Sequence, residues 1–178
     1  MSTLARFVKS AGMTDEAWLR HANSWSVYTR FAAIPAGILA IWSRTWLGWW
    51  ALIPVALVII WLWLNPHVFP AVKEPRSWAA KGIYGEKLWL NEPDSVPPGC
   101  RSVLRWLIIP AVAGILLLVW GLVQLDLWPT IFGATLVTLT QLWRIDRFGR
   151  VYEERQGADA DAPHTTSRPT PEPRFASR

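Results

Sequence analysis

Long uncharged stretches of apolar residues alternate along this chain with stretches that carry nearly all of its charge. Residues 47–64 and 106–125 contain no Asp, Glu, Lys or Arg. As helices they would be about 27 and 30 Å long, and the hydrocarbon core of a bilayer is about 30 Å thick. The pattern therefore predicts that each of these stretches crosses a membrane as a helix.

A shorter apolar stretch accompanies each of these predicted spans. Residues 31–42 are too few to cross a bilayer, and extending the helix back to Trp25 includes Arg30, whose long side chain can reach the headgroups from near a helix end. Residues 127–143 are close to the lower length limit and contain several threonines, which can hydrogen-bond within or between helices. Either stretch could instead be a buried helix of the soluble type, but its pairing with a clear span favours a membrane span.

Very short connections join the two members of each pair. Ser43, Arg44 and Thr45 separate the first two spans and Asp126 the last two, so neighbouring helices must run antiparallel. We therefore predict an all-α fold, an integral membrane bundle of four transmembrane helices in two hairpins with an N-terminal amphipathic helical segment. The predicted segments are an interfacial N-terminal part (1–30), a first hairpin (25–64), a cytoplasmic loop (65–105), a second hairpin (106–143) and a cytoplasmic, largely disordered tail (144–178).

Composition points the same way as the pattern. Apolar residues make up 52% of the chain and charged residues 17%, against about 25% charged residues in soluble domains. The chain has 14 tryptophans, a residue that favours membrane–water interfaces. The single cysteine, Cys100, excludes an intramolecular disulfide; it is either an ordinary loop cysteine, which is the simpler interpretation, or a reactive thiol.

The distribution of basic residues predicts an orientation. Seventeen of the eighteen Lys and Arg residues lie in residues 1–30, 65–105 and 144–178, and only Arg44 lies at a hairpin tip. Basic residues favour the cytoplasmic side of a membrane. We therefore expect a multi-pass protein of the cell membrane with both termini in the cytoplasm.

The two ends of the chain differ in character. Residues 2–12 place apolar side chains at helical spacing, so this segment can lie on the inner membrane surface. Thr14 resembles the N-cap of a second helix, with Asp15 and Glu16 in its first turn. The tail from Gln156 has almost no apolar residues and is expected to be disordered.

The densest group of polar and aromatic residues occupies positions 21–30. If this segment is one helix, Asn23, Ser26 and Arg30 share a face, and His21 shares another with the aromatic residues. One interpretation is a site for a small anion or a lipid headgroup, in which Arg30 is the charged donor. The alternative is an interfacial anchor, with aromatic rings at headgroup depth and Arg30 on phosphate.

Two further polar clusters fall on the same predicted side of the membrane. Asn65 precedes Pro66, a pair that predicts the end of a helix. Residues 78–89 resemble a short amphipathic element with glycine turns. The three clusters could meet over the inner mouth of the bundle, and the candidate headgroup-site residues are His21, Asn23, Trp25, Ser26, Thr29, Arg30, Asn65, Trp78 and Glu86.

These clusters carry a resemblance to a known family. The motif His-Ala-Asn-x-Trp-Ser-x-x-Thr-Arg at residues 21–30 is followed by Asn-Pro-x-x-Phe-Pro at 65–70, then by Trp78 and by Gly-x-x-Gly-Glu at 82–86. Together they resemble an uncharacterised family, a domain of unknown function in small prokaryotic multi-pass membrane proteins. The chain departs from that pattern at Ser24, where the family has proline. The resemblance implies a membrane protein and implies no activity.

Motifs of the major enzyme classes are not found in this sequence. The sequence predicts no catalytic residue, no metal site and no cofactor, and no nucleic-acid partner. The leading hypothesis is a non-enzymatic scaffold or accessory subunit, which forms a homo-oligomer or binds an unknown membrane partner. Small residues would permit close helix contacts, either within the bundle or with copies of itself; they are Ala33, Gly37, Gly114, Gly121 and Gly133. The alternatives are a protein that binds or acts on lipid headgroups, especially anionic ones, and a small-molecule transporter.

Overall fold

The computed structural model describes residues 14–93 and 96–161, without the side chains of residues 159–161, and all regular structure in these ranges is helical. The all-α prediction is therefore confirmed for this part of the chain. The helices are α1 (Asp15–His21), α2 (Ser24–Trp42), α3 (Arg44–Leu47), a 3-10 turn (Gly48–Ala51), α4 (Leu52–Val68), α5 (Trp78–Asn91), α6 (Pro98–Trp106), α7 (Ile108–Gln124) and α8 (Leu127–Asp161).

The first hairpin consists of α2 and α4, which run antiparallel. Ser26 near the start of α2 contacts Asn65 near the end of α4, and Gly37 lies against Val58. The reversal between them contains Gly48, whose φ of 56° is a conformation that glycine adopts without strain. Helix α4 does not stop at Asn65, as the Asn-Pro pair predicts, but continues to Val68.

The second hairpin consists of α7 and the first part of α8, also antiparallel and tightly packed. A Cβ atom added to Gly121 would collide with Thr130, and one added to Gly133 would collide with Leu118. These glycines therefore permit close contact within the hairpin, which was one of the two uses predicted for them. The turn is closed by Asp126, whose carboxylate accepts a hydrogen bond from the backbone N–H of Trp128 at 3.1 Å.

Two helical stretches of the described residues are long and apolar enough to cross a membrane, Ser24–Val68 and Pro98–Gln124. The first contains the whole of the first hairpin, and the second contains α6 and α7. Two such stretches support a membrane protein, but they do not confirm the predicted number of four spans.

Helix α8 differs most from its prediction. Residues 144–178 were expected to be a largely disordered tail, whereas α8 runs without a break to Asp161. Its charged second half packs against α5, where Gly82 lies against Ile145 and Gly85 against the backbone of Phe148. The part of α8 after Trp143 is amphipathic. Packing against α5 buries its apolar face, and this burial stabilises the helix.

A small hydrophobic core lies where α1, α2 and α5 meet. Leu19 and Tyr84 both bind the loop that precedes α5: Val72 N donates to Leu19 O at 2.8 Å, and the Tyr84 hydroxyl donates to Val72 O at 2.7 Å. The start of α1 agrees with its prediction, because Thr14 is the N-cap and its side chain accepts from Ala17 N at 3.2 Å. The core residues are Trp18, Ala22, Val27, Ala79, Ala80, Ile83 and Leu90.

A single arginine joins the two hairpins at their tips. One terminal nitrogen of Arg44 donates to Leu122 O at 2.8 Å and to Val123 O at 2.6 Å. These carbonyls belong to the last turn of α7, where they have no partner within the helix and where the helix dipole favours a cation. The amphipathic segment predicted for residues 2–12 and the part of the predicted tail from residue 162 lie outside the described residues.

Candidate functional site

The polar segment 21–30 is two helices and not one. Helix α1 ends at His21, and Asn23 caps α2 by accepting a hydrogen bond from Trp25 N at 3.0 Å. The prediction that His21 shares a helical face with the aromatic residues Trp25 and Tyr28 is therefore wrong. Because the chain turns between the helices, His21 folds back over α2 and meets Arg30 instead of the aromatic residues.

His21 and Arg30 are in direct contact. One terminal nitrogen of Arg30 lies 2.8 Å from His21 Nε2, and the other contacts His21 Nδ1. His21 is 4% exposed, and the edge of its ring packs against Trp18. A neutral imidazole has one accepting nitrogen, so in one of the two contacts Arg30 donates a hydrogen bond to His21.

Asn65 holds the other side of Arg30. Its side-chain oxygen accepts from Arg30 Nε at 3.2 Å and from Ser26 Oγ at 2.6 Å, while its amide nitrogen donates to Thr29 Oγ1 at 2.7 Å. The Thr29 hydroxyl in turn donates a hydrogen bond to the Trp25 carbonyl at 2.6 Å. Because these hydrogen bonds join side chains of α2 and α4, they fix the position of the Arg30 guanidinium from two helices.

A second arginine and a carboxylate lie opposite, on α8 and α5. Arg144 is 3.7 Å from the carboxylate of Glu86 and donates to the side-chain oxygen of Gln141 at 3.3 Å. Its guanidinium also lies over the ring of Phe148, 5.5 Å from the centroid. The ion pair with Glu86 is therefore loose, and both of its members keep about 30% of their side-chain surface exposed.

These groups line one cavity of about 420 Å³ between the two hairpins and α5. Its polar lining comes from His21, Arg30, Glu86, Gln141 and Arg144. The remaining walls are apolar, formed by Trp18, Val27, Phe31, Ile34, Ile83, Leu90, Val137 and Ile145.

The electrostatics of the cavity follow from burial and from the arginines. Burial, assisted by the charge of Arg30, lowers the pKa of His21 from 6.5 to about 3, so this ring is neutral at pH 7. Burial raises the pKa of Glu86, and the charges of Arg144 and Arg30 oppose that effect. Among the described residues no carboxylate lies within ion-pair distance of Arg30, whose hydrogen-bond partners, His21 and Asn65, are both uncharged.

The structure brings together six of the nine residues predicted for the site. Ser26, Thr29 and Asn65 form the network that holds Arg30, and His21 and Glu86 line the cavity with it. The other three lie elsewhere. Asn23 caps α2 and donates to Pro70 O at 3.3 Å, Trp25 is 68% exposed, and Trp78 is 40% exposed at the start of α5.

Sequence reasoning missed the cavity wall that α8 provides. Gln141, Arg144, Ile145 and Phe148 follow helical spacing, and this spacing was a signal that the last helix continues past its apolar part. Arg144 lies in the segment predicted to be a largely disordered tail, for which the sequence predicts no contact with another helix. Among the described residues no group of three or more His, Cys, Asp or Glu side chains could hold a metal ion.

Comparison with known proteins identifies a family and no activity. The family described as "Family of unknown function (DUF6653)" matches residues 2–172. No curated protein and no solved structure matches the chain. Since the family match covers almost the entire sequence, including every residue of the cavity, this chain belongs to DUF6653, a family of unknown function.

Proposed function

We propose that this chain is a multi-pass membrane protein that binds the anionic headgroup of a membrane lipid in the cavity around Arg30. In this proposal four helices cross the bilayer as two hairpins, and both termini, α5 and the cavity lie on the cytoplasmic side. The observation that carries the proposal is a fixed, partly buried guanidinium without a contacting counterion, in a cavity that also contains Arg144 and one carboxylate and is otherwise lined mainly by apolar residues.

The apolar surface of the hairpins supports the membrane part of the proposal. Large apolar side chains point away from the protein on both hairpins, for example Leu57 at 61% exposed, Leu116 at 65% and Phe132 at 62%. In water each would forgo about 25 cal/mol for every Å² of apolar surface left exposed. Contact with lipid removes this cost. The first part of α8 also has exposed apolar side chains, although the second half of this helix is charged.

The charge of Arg30, which no carboxylate of the described residues contacts, supports an anionic ligand. A buried ion costs several kcal/mol unless an opposite charge or a sufficient set of hydrogen bonds offsets the lost hydration. Asn65 and His21 supply hydrogen bonds but no negative charge. A phosphate or carboxylate oxygen in the cavity would supply that charge, and the planar guanidinium donates to such groups in pairs.

The apolar walls favour a lipid over a free anion. Along α2 the lining changes from Arg30 to Phe31 and Ile34, and on α8 from Arg144 to Val137. These residues lead away from the charged groups toward the middle of the predicted spans. A headgroup at Arg30 would therefore place its acyl chain along apolar side chains, whereas a free phosphate would leave them unoccupied. Binding of this kind needs no catalytic group.

The test is the lipid content of the purified protein. Wild type, Arg30→Gln and Arg144→Gln are extracted in mild detergent, and bound lipids are identified by native mass spectrometry. We expect anionic lipid on the wild type and at least a tenfold loss in Arg30→Gln. Arg105→Gln is the matched control, since Arg105 is an exposed arginine outside this cavity.

Two outcomes would overturn the proposal. One is an equal amount of anionic lipid on Arg30→Gln and on the control. The other is displacement of the bound lipid by millimolar inorganic phosphate or glycerol phosphate, which would indicate that the site takes a soluble anion and that the apolar walls contribute nothing.

A further inference from the structure

The cavity holds an unequal set of charges. Arg30 and Arg144 are cations and the carboxylate of Glu86 is the one acid among the lining residues, while Gln141 and the neutral His21 add no charge. With Glu86 ionised, the cavity therefore has a net charge of +1. A ligand that carries one negative charge neutralises it, and a ligand that carries two leaves an excess of one negative charge in a poorly hydrated place.

The position of Glu86 is set by helix packing and not by a flexible loop. Glu86 lies one turn after Gly82 and directly after Gly85, the two glycines at which α5 meets α8. No side chain larger than glycine fits at Gly85, because a Cβ atom there would collide with the carbonyl of Phe148. The crossing therefore holds the Glu86 carboxylate beside Arg144 on the opposite helix.

We propose that Glu86 determines the charge of the ligand: by cancelling one of the two arginine charges, it selects a lipid with a single negative charge, such as a phosphodiester, over a phosphomonoester with two. This inference rests on the proposed headgroup-binding function. The charged and titratable groups that line the cavity with Glu86 are His21 from α1, Arg30 from α2 and Arg144 from α8.

The same arithmetic ranks three common headgroups. A phosphoglycerol headgroup has one negative charge and gives a neutral filled cavity. A phosphoethanolamine headgroup adds an ammonium to its phosphate, so it leaves the net +1 of the cavity uncancelled. A phosphomonoester has a second pKa near 6, so at pH 8 it carries close to two negative charges and overcompensates.

The experiment is a competition among these lipids. The detergent-purified full chain is mixed at pH 8 with equal amounts of phosphatidylglycerol, phosphatidic acid and phosphatidylethanolamine, and the bound fractions are read by native mass spectrometry. We expect the wild type to prefer phosphatidylglycerol over phosphatidic acid by about tenfold, which is ~1.4 kcal/mol. Glu86→Gln should shift the ratio toward phosphatidic acid by about tenfold, and Glu86→Asp, which keeps the charge, should retain the wild-type preference.

A matched variant separates cavity charge from total charge. Glu153→Gln removes one negative charge from α8 at a carboxylate that pairs with Lys81 at 2.6 Å outside the cavity. It should leave the lipid ratio unchanged.

The outcomes distinguish this inference from the function on which it rests. Wild type without bound lipid would refute both. Wild type that binds lipid but prefers phosphatidic acid would refute the proposed role of Glu86 and leave the headgroup-binding function standing. This result needs no variant, so it is decisive even if Glu86→Gln cannot be purified. Equal lipid ratios in wild type and Glu86→Gln would do the same.

Discussion

Ser26 Oγ lies 2.6 Å from the side-chain oxygen of Asn65, and neither residue has any exposed surface. The pair joins the start of α2 to the end of α4. Because the same oxygen also accepts from Arg30 Nε, the contact that joins the two helices of the first hairpin at the end away from its turn also orients the guanidinium. Stability and the geometry of the candidate site are therefore coupled through Asn65.

Loss of the Asn65 side chain should destabilise the protein. Asn65→Ala leaves the buried Ser26 hydroxyl without its acceptor and frees Arg30, and an unsatisfied buried polar group costs about 1–3 kcal/mol. We expect a lower midpoint of thermal unfolding in detergent and a loss of bound lipid. Asn91→Ala, at an exposed asparagine at the end of α5, should change neither. Equal midpoints for the two variants would contradict the network.

The buried His21 should make stability depend on pH. Its folded-state pKa of about 3 lies below its ordinary value of 6.5. Between these values the unfolded chain binds a proton at His21 that the folded chain does not, so the contribution of His21 to stability rises with pH across this window and is lost as pH falls through it. The slope is at most ~1.4 kcal/mol per pH unit.

The measurement is the unfolding midpoint between pH 4 and pH 8 for wild type and His21→Gln. The variant should show a flatter profile over this range, whatever its absolute stability. His67→Gln, which removes an exposed histidine, should retain the wild-type slope. A wild-type slope that survives in His21→Gln would show that another group is responsible.

A single methyl group should separate α5 from α8. In Gly85→Ala the new Cβ would meet the Phe148 carbonyl, and backbone atoms cannot move aside as a flexible side chain can. Overpacking of this kind costs about 1–3 kcal/mol, and the shift should also part Glu86 from Arg144. Gly157→Ala is the control in the partner helix, because nothing lies within 4 Å of the added atom.

For this prediction both unfolding midpoints and lipid ratios are informative. Gly85→Ala should unfold at a lower temperature and should weaken the preference for phosphatidylglycerol. Gly157→Ala should be neutral or slightly stabilising, since alanine is the better helix former. A fully stable Gly85→Ala with an unchanged lipid ratio would refute the proposed contact.

The predicted topology can be read with cysteine chemistry. Cys100 is the only cysteine, and the predicted orientation would place it in the cytoplasm. An impermeant thiol reagent should therefore leave it unlabelled in intact cells and label it after permeabilisation. In a Cys100→Ser background, Thr45→Cys at the opposite tip should be labelled in intact cells, because Thr45 is exposed and lies in the connection between the predicted spans. The reverse pattern would invert the topology.

The arginine at the hairpin tips should contribute to stability without affecting the cavity. Arg44→Gln removes the hydrogen bonds to Leu122 O and Val123 O and the favourable interaction with the end of α7. Each hydrogen bond from a charged donor contributes about 1.5–3 kcal/mol at most. We expect a lower unfolding midpoint with unchanged lipid binding, whereas loss of lipid as well would show that the two ends of the bundle are coupled.

Much of the helical layout could be predicted from local pattern. The uncharged stretches, the short connection at Asp126 and the N-cap at Thr14 are properties of neighbouring residues, and the structure agrees with them. The predictions that differ depend on distant contacts. Helix α4 passes the Asn-Pro pair because the Asn65 side chain is bound by α2, and α8 continues past Trp143 because α5 packs on it.

For the candidate site, too, some features could be predicted from the sequence and others depend on distant contacts. Arg30, His21 and Asn65 were singled out from sequence because polar residues beside an apolar stretch are conspicuous. Their mutual geometry was not predictable, since it depends on the interruption of the helix at Asn23. This interruption lets His21 fold back onto Arg30. Arg144 was missed because nothing in its own neighbourhood indicates that Glu86, from another helix, lies 3.7 Å away.

The sequence by itself determined that this chain is helical and that its helices fold back in pairs, because the lengths and interruptions of apolar stretches are local quantities. Only the tertiary structure decided that two arginines and one carboxylate share a cavity. They come from α2, α5 and α8, and their meeting depends on the glycine contacts between helices and on the buried Asn65 network, whose partners are distant along the chain and are not indicated by any single stretch of sequence.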